Sequence, residues 1–420
     1  MTKLAPTRVG RPRSNRNPLL TSTAPPAVVL GGGWTAVPVT RSLGEAGVPV
    51  YALGGSSDAV RWSRSCTTFV PLGHEAGMQD RWLEWLRGAP PGSVILPCGD
   101  EGLELIARNR TMLLELGLVP FEADDEVLLA MLDKSRTYEL ARDMGIESPL
   151  TFNVHTQDDI AIALERISYP CALKPVHSHA FARHFAGMKA FRVHNDDDMR
   201  AALARTVAFG IEMIVTEIIP GDDDQFFSYY SYIDEEGEPL LHATKRKLRQ
   251  HPIWFGSGCF HVTDQNPEVA EMGLRFFEGV GLRGLGNVEF KRDARDGRLK
   301  LIECNHRFTA ATGLMRAAGL DLPLFAYNRL TGRPLPPVDE YRPGKTMWYP
   351  MRDLRAFAAY RRQGEISLLA WLRSIMRRHH YPVASLSDPR PVLANNLHLF
   401  GRIRRVLSRQ RARSNLPGHE

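Results

Sequence analysis

GNVEFKRDARDGRLKLIECNHRF, Gly286 to Phe308, alternates apolar and polar residues on either side of a charged turn. Asp296-Gly297 is a strong hairpin signal, because glycine takes the positive φ of a tight turn without steric cost. Side chains on a strand alternate faces, so Glu303 and Asn305 point the same way. Glu289 precedes the turn and Glu303 follows it by nearly equal lengths, which predicts near-opposite positions where like charges repel. A core hairpin built this way calls for something positive between its carboxylates.

The surrounding chain is that of a folded protein. Its 420 residues and 43% hydrophobic content allow two or three packed domains. Cys66, Cys98, Cys171, Cys259 and Cys304 are scattered, without CxxC pairs or histidines at zinc spacing, which predicts free thiols in a reducing, cytoplasmic compartment. Residues 1–26 lack the apolar centre of a secretory signal and are expected to form a basic disordered tail rather than a mitochondrial transit peptide. Basic residues concentrate there and in 401–420, enough to exceed the net charge of +6, so the body between them is mildly acidic. That balance argues against a nucleic-acid partner. The tail GRIRRVLSRQRAR, Gly401 to Arg413, reads either as a solvated helix end or as a peripheral contact with anionic lipid.

Pro25 to Leu53 reads as strand, glycine-rich turn, helix and strand, with Pro38 tolerated in the helix's first turn. Ser93 to Arg110 repeats the strand-to-helix switch with Asp100 as the expected N-cap. Together they predict an open parallel sheet whose strand ends are available to a ligand. The turn Gly31 to Gly33 is a weak dinucleotide signal, since GGGWTA is not GxGxxG and no clear acidic residue ends the second strand. Asp133 to Pro149 reads as a capped helix closed by Gly145, after which strands and helices alternate irregularly, as in an α+β domain. The expected organisation is therefore a basic tail over 1–26, an N-terminal α/β domain over 27–120, an α+β domain over 121–335, and a helical, basic extension over 336–420.

Four separated signals share one explanation. Lys134 opens a helix, and Lys174 sits in the apolar strand CALKPV, where an unpartnered lysine is rare. VTEIIPGDDDQ, Val215 to Gln225, breaks an apolar strand after Glu217 and leaves backbone groups free of a ladder. The opening hairpin supplies two carboxylates and an amide. Lysines neutralise a polyphosphate and hard oxygen ligands suit Mg²⁺ (or Mn²⁺), which together is the chemistry of MgATP.

LDKSRTYELA, CALKPV, VTEIIPGDDDQ and the hairpin resemble the ATP-grasp superfamily, especially its carboxylate-amine ligases of the D-aspartate-ligase-like branch, over roughly residues 27–335. The resemblance implies two ATP-grasp subdomains after the α/β domain, and formation of an amide or peptide-like bond through an acyl phosphate with release of ADP and phosphate. It implies phosphate contacts by Lys134 and Lys174, an adenine hinge at Glu217, Ile218 and Ile219, and a ribose contact at Asp224, with Asp222 and Asp223 as rivals. It implies a metal triad of Glu289, Glu303 and Asn305, followed by Arg307 on phosphate or substrate. The basic strand LHATKRKLRQHP adds Lys245, Lys247 and Arg249, of which Lys247 and Arg249 are the expected catalytic anion wall. Arg61, Arg64, Asp100 and Glu101 are expected on the substrate side. The implied substrates are a small carboxylate and an amine, in one version an amino acid and a larger acceptor.

Two departures from the family pattern stand out. His306 replaces a usual proline, and the segment His177 to Lys189 has one glycine where the phosphate-covering loop is commonly glycine-rich. The second leaves open an alternative, a catalytically altered nucleotide-binding sensor or scaffold of the same fold. A biotin-dependent carboxylase is disfavoured by the lack of a basic, Gln-containing motif after the hairpin. Oligomeric state is not legible.

Overall fold

The structure, a computed structural model, describes residues 24–73, 77–185, 188–338 and 341–394. The stretch 401–420, on which the tail reading falls, lies outside them. Pro25 to Leu53 folds as its alternation predicts: β1 (Ala27–Leu30), α1 (Ala36–Glu45) and β2 (Val50–Leu53), with the two strands parallel. β3 (Thr68–Val70), α2 (Met78–Leu86), β4 (Val94–Pro97), α3 (Asp100–Glu115) and β5 (Val119–Pro120) complete a five-stranded parallel sheet in the order β3-β2-β1-β4-β5. β1 and β4 are wholly buried apolar runs, as a sheet covered on both faces requires. The triple glycine serves packing at its middle position, Gly32, where φ is +81° and a Cβ would lie 2.3 Å from the Cys98 carbonyl oxygen.

α4 (Asp125–Leu132) and α5 (Lys134–Asp143) lead into the second layer. Asp133 caps α5, its side chain accepting from the Arg136 N–H, and Gly145 follows with φ +65°. β6 (Thr151–Val154), α6 (Gln157–Leu164), β7 (Cys171–Pro175), α7 (Ser178–His184), β8 (Phe191–Val193), α8 (Asp196–Val207) and β9 (Met213–Glu217) form a four-stranded antiparallel sheet, β6-β9-β7-β8, backed by its own apolar core.

The third layer contains β10 (Phe226–Ile233), β11 (Pro239–His251), β12 (Ser257–Asp264), α9 (Pro267–Gly279), β13 (Gly284–Arg292) and β14 (Leu299–Asn305). α10 (Thr312–Ala317), α11 (Leu322–Leu330), β15 (Thr346–Trp348), α12 (Pro350–Arg362) and α13 (Leu368–Ile375) follow. The sheet order is β14-β13-β10-β11-β12-β15. β10 is buried along its length because both faces are covered: Phe227, Tyr229 and Ile233 enter the core with α9, while Tyr230 and Tyr232 face the core shared with the first sheet. The region after 335 is therefore not helical throughout. Its strand β15 extends this sheet, and Asp388 returns to the first layer, accepting from Arg41 at 2.9 Å and Ser63 at 2.6 Å.

Candidate active site

A cavity of about 440 Å³ opens between the four-stranded and six-stranded sheets, and the carboxyl ends of the first sheet close one end. Its size suits a nucleotide-sized ligand. One wall carries Lys134, Lys174 and Glu217 to Ile219; the other carries Phe226, Lys247, Glu289, Lys291, Glu303 and Asn305. Asp100, Glu101 and Arg307 stand at the closed end.

Strand register builds the charged wall. Lys245, Ser228, Glu289 and Glu303 pair in one row across four strands, and Lys247, Phe226 and Lys291 form the next row on the same face. Glu289 and Glu303 are thus direct cross-strand neighbours. The positive partner is a protein side chain: Lys247 Nζ donates to Glu289 Oε1 at 3.0 Å, and both groups are buried. Burial would raise the Glu303 carboxyl, but Lys189, Lys247 and Lys134 together outweigh it and hold that group down at about 2. Glu303 is therefore an anion facing cations.

The opposite lysines are held by backbone and burial. Tyr138 on α5 donates to the Ile302 carbonyl at 2.8 Å, which fixes this helix against β14. Lys134 then reaches Ser178 Oγ at 2.7 Å and the Val176 carbonyl at 3.2 Å. Burial, reinforced by Lys134, pushes Lys174 down to about 8. At the closed end Arg307 Nε donates to Asp100 Oδ1 at 2.5 Å. Burial would raise the Asp100 carboxyl, and Arg307 outweighs it, so the group stays below its usual range.

Glu289, Glu303 and Asn305 fit a hard divalent cation in donor type. Among the described residues no three His, Cys, Asp or Glu side chains gather at metal distance. Two carboxylates and one amide oxygen are too few for a dedicated cage, so phosphate oxygens and water would complete the shell of a Mg²⁺ held there.

Several expected residues lie elsewhere. Arg249 is not on the cavity wall: register irregularities flank it, and α12 delivers Asp353, which binds its guanidinium at 2.6 and 2.9 Å. Asp224 also misses the wall, accepting from its neighbour Gln225 and facing Arg246. Its rival Asp223 is engaged by Gln250 and Tyr360, and Asp222 is likewise absent from the wall. Lys245 shares the face of that wall but does not line the cavity, donating to Ser228 instead. Gly99, not Asp100, occupies the N-cap position of α3, because the Asp100 side chain is taken by Arg307. Arg61 stacks near Trp62 and Phe69, and Arg64 donates its backbone N–H to Asp388; neither lines the cavity. The expected loop after Lys174 contains α7, with Ser178, His179 and Lys189 on the cavity wall.

Lys291 was not singled out in the sequence, yet its Nζ donates to the Ile219 carbonyl at 2.8 Å and thereby ties the hinge to the opposite sheet. Period-two alternation carried the signal, since Lys291 must share the face of Glu289. The β11–β12 loop was missed too. It brings Trp254, at φ +82°, and Phe255 over the cavity, with the Arg192 guanidinium 4.0 Å from the Trp254 ring centroid. His306 is wholly buried and packed edge-on against Phe121, and burial pushes its imidazole down to about 4 against the backbone at His306 and Arg283.

This three-layer arrangement recurs in known proteins. A family model described as ATP-grasp in the biosynthetic pathway with Ter operon matches residues 234–349. The D-aspartate ligase of Enterococcus faecium is 28% identical over 55% of this chain and 57% of its own length. A D-alanine–D-alanine ligase of Xylella fastidiosa is 24% identical over 44% of this chain and 62% of its own. The chain thus spans less than two thirds of either relative. Among solved structures, carboxyaminoimidazole ribonucleotide synthase of Aspergillus clavatus complexed with ATP has TM-score 0.60 at 14% identity, covering 77% of this chain and 81% of that one. Biotin carboxylase of Campylobacter jejuni has TM-score 0.59 at 15% identity, covering 76% and 74%. The order of the layers agrees with these likenesses, and the fold of the chain is that of the ATP-grasp proteins.

Proposed function

We propose that the chain is an ATP-dependent carboxylate-amine ligase. The observation that carries this reading is a single cavity in which Lys134 and Lys174 face Glu289, Glu303 and Asn305. Lys134 and Lys174 bind phosphate oxygens, and the hinge Glu217 to Ile219 meets the base. Glu289, Glu303 and Asn305 would hold a Mg²⁺, which would supply charge neutralisation to the phosphates. Lys247 and Arg307 stabilise charge spread over the phosphoryl group as it passes to a substrate carboxylate. An amine then attacks the acyl phosphate, expelling phosphate and losing a proton. The apolar cover from Phe255 and Trp254 limits competing hydrolysis. The D-aspartate ligase relative supports an amino acid as one substrate.

Glu303→Gln tests this reading. It removes one anionic ligand without changing shape, and should lower substrate-dependent ADP formation at least about a hundredfold. Turnover near that of the parent rejects the metal site. A second reading, a nucleotide-binding sensor, is favoured by the helix α7 where the family has a glycine-rich loop. ATP binding without ADP release across a panel of carboxylates and amines would select it.

A further inference from the structure

α13 carries no buried residue. One side is anchored: the Trp371 ring stacks on Phe357 with centroids 4.5 Å apart, and its indole N–H donates to Asp353 at 2.9 Å. The other side shows Leu368, Leu369, Leu372 and Met376, a stripe at helical spacing. Leu369 is 57% exposed and Met376 81%. Met351 and Leu354 are exposed on the neighbouring α12. Water is a poor covering for such a surface.

Charge selects the partner. Arg355, Arg361, Arg362, Arg373, Arg377 and Arg378 are all exposed on or beside these two helices, and among the described residues none is ion-paired. A second copy would set these arginines against themselves. Residues 401–420, themselves rich in arginine, would add like charge. An anionic surface compensates all of them. An apolar stripe flanked by arginines is the arrangement of a helix lying in a lipid headgroup layer. We propose that the α12–α13 face docks on an anionic lipid bilayer, with Leu368, Leu369, Leu372 and Met376 beneath the headgroups. No described helix is long and apolar enough to cross a membrane, so the contact is peripheral. This surface is separate from the cavity and does not depend on the ligase reading.

The test is flotation of the full chain with vesicles of phosphatidylcholine, with and without phosphatidylglycerol. The chain should float with the anionic vesicles only, and less so at high salt. Leu369→Asp combined with Leu372→Asp should reduce binding at least about tenfold while the thermal transition is retained. Arg373→Glu with Arg377→Glu, which leaves the apolar stripe intact, should do the same and covers the case in which the first variant misfolds. Changing Arg404 and Arg405 to Gln should leave most of the binding in place. The proposal is overturned by absence of binding to anionic vesicles, by binding that both α13 variants retain, or by light scattering that shows a dimer dispersed by those variants.

Discussion

Burial decides the charge of Lys174, and so the pH range in which the cavity attracts phosphate. With its pKa pushed down to about 8, the side chain is a cation below that value and becomes neutral above it. A polyphosphate needs the cation, so kcat/KM for ATP should fall roughly tenfold per pH unit on the alkaline side of about 8. Lys174→Arg, charged throughout, should flatten that limb whatever it does to the maximum rate; steady-state ADP release from pH 6 to 10 measures both. His306 makes the converse case, a ring that burial holds neutral, its pKa pushed down to about 4 against the backbone groups beside it. The difference between the two residues was legible only in part. A lysine inside CALKPV calls for a partner because burial of an unpaired charge is costly, whereas a histidine beside the hairpin gives no sign that Phe121 will pack against it.

At the scale of elements, β11 shows what alternation can and cannot convey. Lys245 and Lys247 face the side that period two assigns, and Lys247 reaches Glu289. Arg249 keeps that period in the sequence, but register shifts on either side of it put Gln250 on the cavity wall instead, and its guanidinium is claimed by a helix about a hundred residues later in the chain, which no local pattern announces. Asp353 on α12 is wholly buried and also accepts from Trp348 and Trp371, so one carboxylate organises β11, β15, α12 and α13. Asp353→Ala strands the Arg249 guanidinium in the interior and should cost about 3–5 kcal/mol by chemical denaturation. The hairpin itself was the most legible element, since turn chemistry and strand period agreed: Glu289 and Glu303 pair directly. Asp224 was the least, because three consecutive aspartates in a turn give no period by which to choose among them.

On the scale of the whole molecule, the stretch after residue 335 is a working part of the sheet. Removing 336–420 would uncover the edge of β12, free Arg249 from Asp353, and break the bonds of Tyr360 to Asp223 and of Asp388 to Arg41. A chain ending at 335 should therefore lack a cooperative thermal transition by circular dichroism, and a transition like that of the full chain would show that 27–335 folds alone. The ordering of layers was readable from strand and helix alternation, but the return of the C-terminal stretch to α1 and β15's place in the sheet depend on contacts between distant residues. One contact between layers has an optical consequence. Arg192 belongs to the four-stranded sheet and Trp254 to the loop of the facing one, so separating the two walls unstacks the guanidinium and hydrates the indole. With the other six tryptophans replaced by phenylalanine, the colour of Trp254 emission would read out how far the two walls stand apart.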